Sequence, residues 1–229
     1  MNSTRFRLWD LPTRIFHWAL VLCIVAAFVS GQLGGNLIDV HGKIGIAVFG
    51  LIVFRLVWGL LGSTYARFAQ FFPTPGKIKA YLRGEWHGEG HNPLGALSVF
   101  GLLGVVGLQA GTGLFSNDDI AFVGPLFDLV SKDLSNALTG IHHLVSKVLI
   151  ALVVLHLVAI GFYGRVKKQK LILPMITGWK EGNGESARGG GVVALIVALL
   201  IAAAAIYGAS GAWLPEPPPP PPAAETPSW

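Results

Sequence analysis

Five runs of about twenty apolar residues, broken by very little charge, leave this chain few folds to choose from. Inside a bilayer every backbone donor and acceptor has to be satisfied within the protein, so a run of that length crosses as an α-helix. The runs fall at about residues 15–37, 41–61, 93–114, 137–163 and 191–213. They predict an all-α membrane protein with five transmembrane helices, the fifth of them C-terminal. Composition agrees: 52% of the 229 residues are hydrophobic and 13% are charged, about half the charge of a soluble domain. The first run has the basic flank of a signal peptide, but it is too long for one and carries a histidine in its first turn, so a retained span is expected. Cys23 lies in that run and is expected to be an inert packing residue, since no second cysteine is present and no C-x-x-C-H occurs for covalent haem.

The distribution of lysine and arginine orients the spans. Arg5, Arg7 and Arg14 precede the first, Arg67, Lys77, Lys79 and Arg83 lie between the second and third, and Arg165, Lys167, Lys168, Lys170, Lys180 and Arg188 follow the fourth. The opposite side carries only Lys43, Lys132 and Lys147, with Asp118, Asp119, Asp128 and Asp133 in one loop. The positive-inside rule therefore places the N-terminus in the cytoplasm and the 115–136 loop outside. The net charge of +5 belongs to this membrane asymmetry, and no nucleic-acid partner is expected. Residues 181–190 read as a Gly-rich cytoplasmic linker, 191–214 as the extra helix, and 215–229 as a periplasmic tail whose proline run, 217–222, forms a stiff polyproline rod. In the fifth span Ala204, Gly208 and Ala212 recur every four residues, a spacing that suits close helix packing and that an Ala-rich helix also produces by chance.

Histidine is costly in lipid and marks function when it occurs there. His17, His41, His142 and His156 all sit in or at the ends of the apolar runs. His142 and His156 are fourteen residues apart on one helix, which returns them to within about 40° of one face and separates them by about 21 Å. That span is too long for one metal site and suits two. By depth, His17 matches His156 near the cytoplasmic surface, and His41 matches His142 near the outer one. Paired imidazoles on facing helices are a haem arrangement. His143 stands about 140° off the face of His156, which favours its neighbour His142 as the ligand. His87 and His91 fall in the basic loop, where solvated side chains are expected. Arg55, fourteen residues after His41, returns to the same helix face at the cytoplasmic end, where its guanidinium suits a haem propionate or a quinone site; snorkelling toward the headgroups is the alternative.

The segments Asp10-Leu-Pro-Thr-Arg-Ile-Phe-His17-Trp18, His41-Gly-Lys-Ile-Gly, Phe54-Arg55-Leu-Val-Trp58, Gly90-His-Asn-Pro-Leu-Gly95 and Gly140-Ile-His142…Leu155-His156 resemble those of the bacterial cytochrome b561 family and of the related b-type cytochrome subunits of nickel-iron hydrogenases. The resemblance covers about residues 5–180 and implies a cytochrome b561-like domain over 1–180, a four-helix bundle binding two b haems through His17, His41, His142 and His156. The position of His143 is commonly a glutamate in that family, so the chain departs from the pattern there.

Bis-histidine iron has no open position and moves single electrons. The expected function is a di-haem b-type cytochrome carrying electrons across the membrane between the quinone pool and a redox partner, such as a periplasmic cytochrome c or a dehydrogenase. The resemblance leaves two further possibilities, a superoxide:quinone oxidoreductase and an anchor subunit of a hydrogenase-like complex. A histidine-lined proton or metal transporter is the non-redox alternative.

Overall fold

The computed structural model describes residues 4–120 and 122–215. The expected proline rod lies outside them. Along the chain come β1 (Arg5–Arg7), α1 (Leu11–Leu33), α2 (Ile38–Leu61), α3 (Phe68–Phe71), α4 (Pro75–Leu82), α5 (Pro93–Gly113), α6 (Lys132–Arg165), α7 (Ile172–Thr177), β2 (Trp179–Glu181) and α8 (Gly191–Ala209). Five of these helices, α1, α2 together with the short turn before it, α5, α6 and α8, are long and apolar enough to cross a membrane.

Helix ends follow local chemistry. The Asp10 carboxylate accepts from the Thr13 N–H at 2.7 Å and opens α1, with Pro12 already in helical φ. Asn92 does the same for Gly95 at 2.7 Å, with Pro93 starting α5. Ser131 caps α6, which begins five residues before the expected 137 because its first turns are polar enough to escape a hydropathy window. The first span likewise runs 11–33 rather than 15–37, since Gly34 (φ 60°) turns the chain out of the helix.

Helix α2 is the hub. It packs on α1, on α5 and most extensively on α8, while α6 packs on α5. Among the described residues α1 and α6 make no comparably extensive contact. Phe16, Val48, Ile52, Phe54, Trp58, Leu103 and Val106 form the core, and Ala198 and Ala202 of α8 join it from the other side of α2. The close approach of α8 depends on Gly50, where a Cβ would overlap Ile206. The stripe that faces α2 is thus Ala198, Ala202 and Ala209, all buried, whereas Ala204 and Ala212 are exposed.

At the end of the bundle bearing the chain's N-terminus, termed the basic end, residues 178–190 form a strap. β2 pairs antiparallel with β1. Gly178, in a left-handed conformation (φ 88°), ends α7 and turns its carbonyl to the N–H groups of Leu8 and Trp9. Tyr65 donates to the Glu185 carbonyl at 2.7 Å, Thr64 and Arg188 exchange hydrogen bonds, and Ser63 bridges Gly189. The opposite, acidic end is closed by the loop between α5 and α6. There the buried Ser135 hydroxyl donates to the Phe115 carbonyl and accepts from the Asn117 amide, both at 2.6 Å.

Candidate functional site

The bundle brings together the four intramembrane histidines two by two, one group toward each end. At the acidic end the rings of His41 on α2 and His142 on α6 lie 6.1 Å apart, centre to centre, nearly perpendicular. Each has one nitrogen held by backbone. His41 Nδ1 bonds the Ala27 carbonyl of α1 at 2.8 Å, and His142 Nδ1 bonds the Gln109 carbonyl of α5 at 2.9 Å. These carbonyls accept only, so each imidazole carries its proton on Nδ1 and turns a lone pair outward on Nε2. On His142 that lone pair accepts from the Gln109 amide at 2.9 Å.

Two glycines make room for these rings. A Cβ on Gly31 of α1 would stand 3.0 Å from His41 Nδ1, and one on Gly113 of α5 would stand 3.0 Å from His142 Cε1. His143, 6.3 Å from His142 between ring centres, is exposed on the outer face of α6. Gly31, Gly113, Gln109 and Thr112, whose hydroxyl is 3.3 Å from His142 Nδ1, escaped sequence reading. The small residues face the histidines in the last turns of their helices, but which glycine in a glycine-rich span does so depends on packing.

At the basic end His17 on α1 and His156 on α6 come close enough for their charges to interact. His17 Nδ1 is buried without a partner. Arg55 is only 3% exposed, its guanidinium 4.6 Å above the Phe68 ring, and its Nη1 is also buried and unpartnered. Gly59, one turn further along α2, leaves the space that the Phe68 ring fills. The neighbouring carboxylate, Asp10, besides capping α1, accepts from Trp58 Nε1 at 3.0 Å and from the Ser63 hydroxyl at 2.5 Å.

His91 corrects the sequence reading. It is not a solvated loop residue, as His87 is; its ring lies between Trp9 and Phe71, with centres 4.7 and 4.6 Å away. Burial, then the charges of Arg55, His17 and His156, push its pKa down to about 3. The signal was present in the sequence: Asn92-Pro93 is a helix start, so His91 stands at the mouth of a span rather than mid-loop. On its other side His91 borders a cavity of about 410 Å³ lined also by Tyr65, Phe71, Trp86 and Glu89.

Among the described residues no cluster of three or more histidine, cysteine, aspartate or glutamate side chains is arranged to hold a bare metal ion. What the fold offers is histidines in twos, which matches a metal that brings its own equatorial donors. Two imidazoles bound to opposite faces of one iron, each through a bond of about 2 Å, have ring centres about 6 Å apart. The His41–His142 separation fits that requirement.

Residues 8–178 match the sequence signature of prokaryotic cytochrome b561. The chain belongs to the prokaryotic cytochrome b561 family. It is therefore a helical membrane bundle and a b-type cytochrome of electron transport. Relatives include a probable Ni/Fe-hydrogenase B-type cytochrome subunit of Azotobacter chroococcum mcd 1, 26% identical over 222 residues that cover 78% of this chain and 90% of that one. The corresponding protein of Azotobacter vinelandii is 27% identical over the same shares. A probable Ni/Fe-hydrogenase 1 B-type cytochrome subunit of Escherichia coli K12 is 24% identical over 148 residues, 50% of this chain and 62% of that protein. No solved structure matches.

Proposed function

We propose that this cytochrome binds two b haems, one between His17 and His156 and one between His41 and His142, and carries single electrons across the bacterial inner membrane between the quinone pool and a redox partner protein. The observation that carries the reading is the acidic-end pair: two imidazoles at the separation one iron needs, each oriented by a backbone carbonyl and each with Nε2 directed away from that carbonyl. Haem held in this way supplies one-electron transfer without an open position for oxygen.

The protein's own contributions are orientation and electrostatics. Ala27 and Gln109 carbonyls fix the tautomer and raise ligand basicity. Arg55 places a buried cation at the basic end, suited to a propionate. α6 links the two sites about 21 Å apart, which makes them a path through the bilayer. Charge asymmetry supports a cytoplasmic basic end and a periplasmic acidic end and tail. A hydrogenase-type redox complex is the partner favoured by the names of the relatives, and it is ahead of a periplasmic cytochrome c on that ground. Superoxide oxidation draws less support, because the aspartates of the outer loop oppose an anionic substrate.

Purified protein should contain two haems per chain and show a split α-band on dithionite reduction. His156→Ala should remove one haem and His142→Ala the other, while His143→Ala should keep both. A His143 variant that loses the acidic-end haem would overturn the assignment. So would a His156 variant that retains both.

A further inference from the structure

Arg55 Nη1 and His91 Nδ1 join His17 Nδ1 among the buried polar atoms that have no partner at the basic end. Both are shielded from solvent; Arg55 Nη1 is a fixed donor, and His91 Nδ1 is one in the tautomer that carries its proton there, and a buried donor left without an acceptor is destabilising. A run of ring contacts joins the two, Arg55 over Phe68 at 4.6 Å, Phe68 on Phe71 at 5.9 Å and Phe71 on His91 at 4.6 Å, and the charges of His17 and His156 are felt at His91. The nearby carboxylate, Asp10, accepts from Thr13, Trp58 and Ser63 and bonds neither of these two atoms. Nor is His91 free to turn away, since Trp9 and Phe71 hold its ring from both sides. An acceptor carried by something held between His17 and His156 would serve both. On a haem the strongly accepting groups are its two propionate carboxylates.

We propose that His91 is a positioning residue that, together with Arg55, hydrogen-bonds a propionate of the basic-end haem. The assignment rests on the haem pairing proposed above. It gives the loop before α5 a definite role: Asn92 and Pro93 fix the start of the helix, and the residue before them reaches the edge of the cofactor. It also divides the labour between the two donors. Arg55 brings fixed charge, whereas His91, neutral in its buried slot, brings direction and links the haem edge to the 410 Å³ cavity that its ring borders.

The test uses the full-length haem-loaded protein and two substitutions. His91→Phe keeps an aromatic ring between Trp9 and Phe71 but removes the donor; His91→Asn places an amide N–H close to the position of Nδ1. The readouts are the midpoint potential of each haem and the propionate-bending band in resonance Raman spectra. The basic-end haem is identified as the one missing from His156→Ala. With a donor lost, the propionate keeps more of its negative charge and favours ferric iron. His91→Phe should therefore shift the ferric/ferrous equilibrium of that haem by up to about tenfold, equivalent to 59 mV for a one-electron couple, and move its propionate band. The acidic-end haem should not change, and His91→Asn should restore both values. Loss of the basic-end haem in His91→Phe but not in His91→Asn would support the same role. An unchanged potential and band in His91→Phe would overturn it, as would equal effects of both substitutions. If His156→Ala fails to remove a haem, the pairing itself fails, an outcome distinct from a silent His91→Phe.

Discussion

Gly113 occupies the point where α5 passes the His142 ring, and the space it leaves is as much a part of the acidic-end site as the imidazole. A side chain there meets the ring at 3.0 Å, so Gly113→Leu should displace His142 and lower the haem-to-protein ratio from two to one. Gly104→Leu is the matched control, because a Cβ on Gly104 of the same helix meets nothing within 4 Å; it should keep both haems. Equal haem contents for the two variants would remove the steric argument. At this scale the imidazoles were legible from sequence, because a polar ring in an apolar run is an anomaly of transfer energy that no packing pattern hides. Their supports were not. Gly113, Gly31 and Gln109 look like any other residues of their spans, and only the approach of a neighbouring helix singles them out. His91 falls between these cases: its chemistry was visible, but its burial depends on Trp9 and Phe71 arriving from distant parts of the chain.

Each helix has a boundary written locally and a packing face written elsewhere. Asp10, Asn92 and Ser131 cap α1, α5 and α6 with their own side chains, so those starts are recoverable from sequence once capping is weighed beside hydropathy. The face of α8 is a different matter. An Ala-rich helix offers several equivalent small-residue stripes; that Ala198, Ala202 and Ala209 rather than Ala204, Gly208 and Ala212 meet α2 is decided by the notch at Gly50. Filling that notch with Gly50→Leu forces overpacking, which costs about 1–3 kcal/mol. The expected result is a lower Tm and faster cleavage of the 181–190 segment by protease, with both haems retained, since the four imidazoles lie on α1, α2 and α6. Unaltered protease resistance would show that α8 docks by another face.

For the molecule as a whole, the bundle and its membrane class follow from length and hydropathy alone, whereas the strap across the basic end does not. Residues 181–190 have the composition of a flexible linker, yet β-pairing, Tyr65 and Thr64 engage them, contacts contributed by the N-terminus and by the end of α2. The two ends differ in charge, and the proposed orientation can be tested directly. In a Cys23→Ala background, a membrane-impermeant maleimide should label Asp128→Cys in cells with a permeabilised outer envelope and Arg83→Cys only after lysis of the inner membrane. Labelling in the reverse order would invert the topology.

α6 runs unbroken for 34 residues, with no proline between its ends, and in the proposed arrangement it contributes one imidazole to each haem site. The distance between the sites is therefore set by helical pitch and not by any tertiary contact, so breathing of the bundle carries both imidazoles together. A single residue inserted between His142 and His156 would throw one of them about 100° out of phase, whereas seven inserted residues would nearly restore the phase and lengthen the gap by about 10 Å. The helix is a ruler with only a few readable marks, and the chain has used one of them.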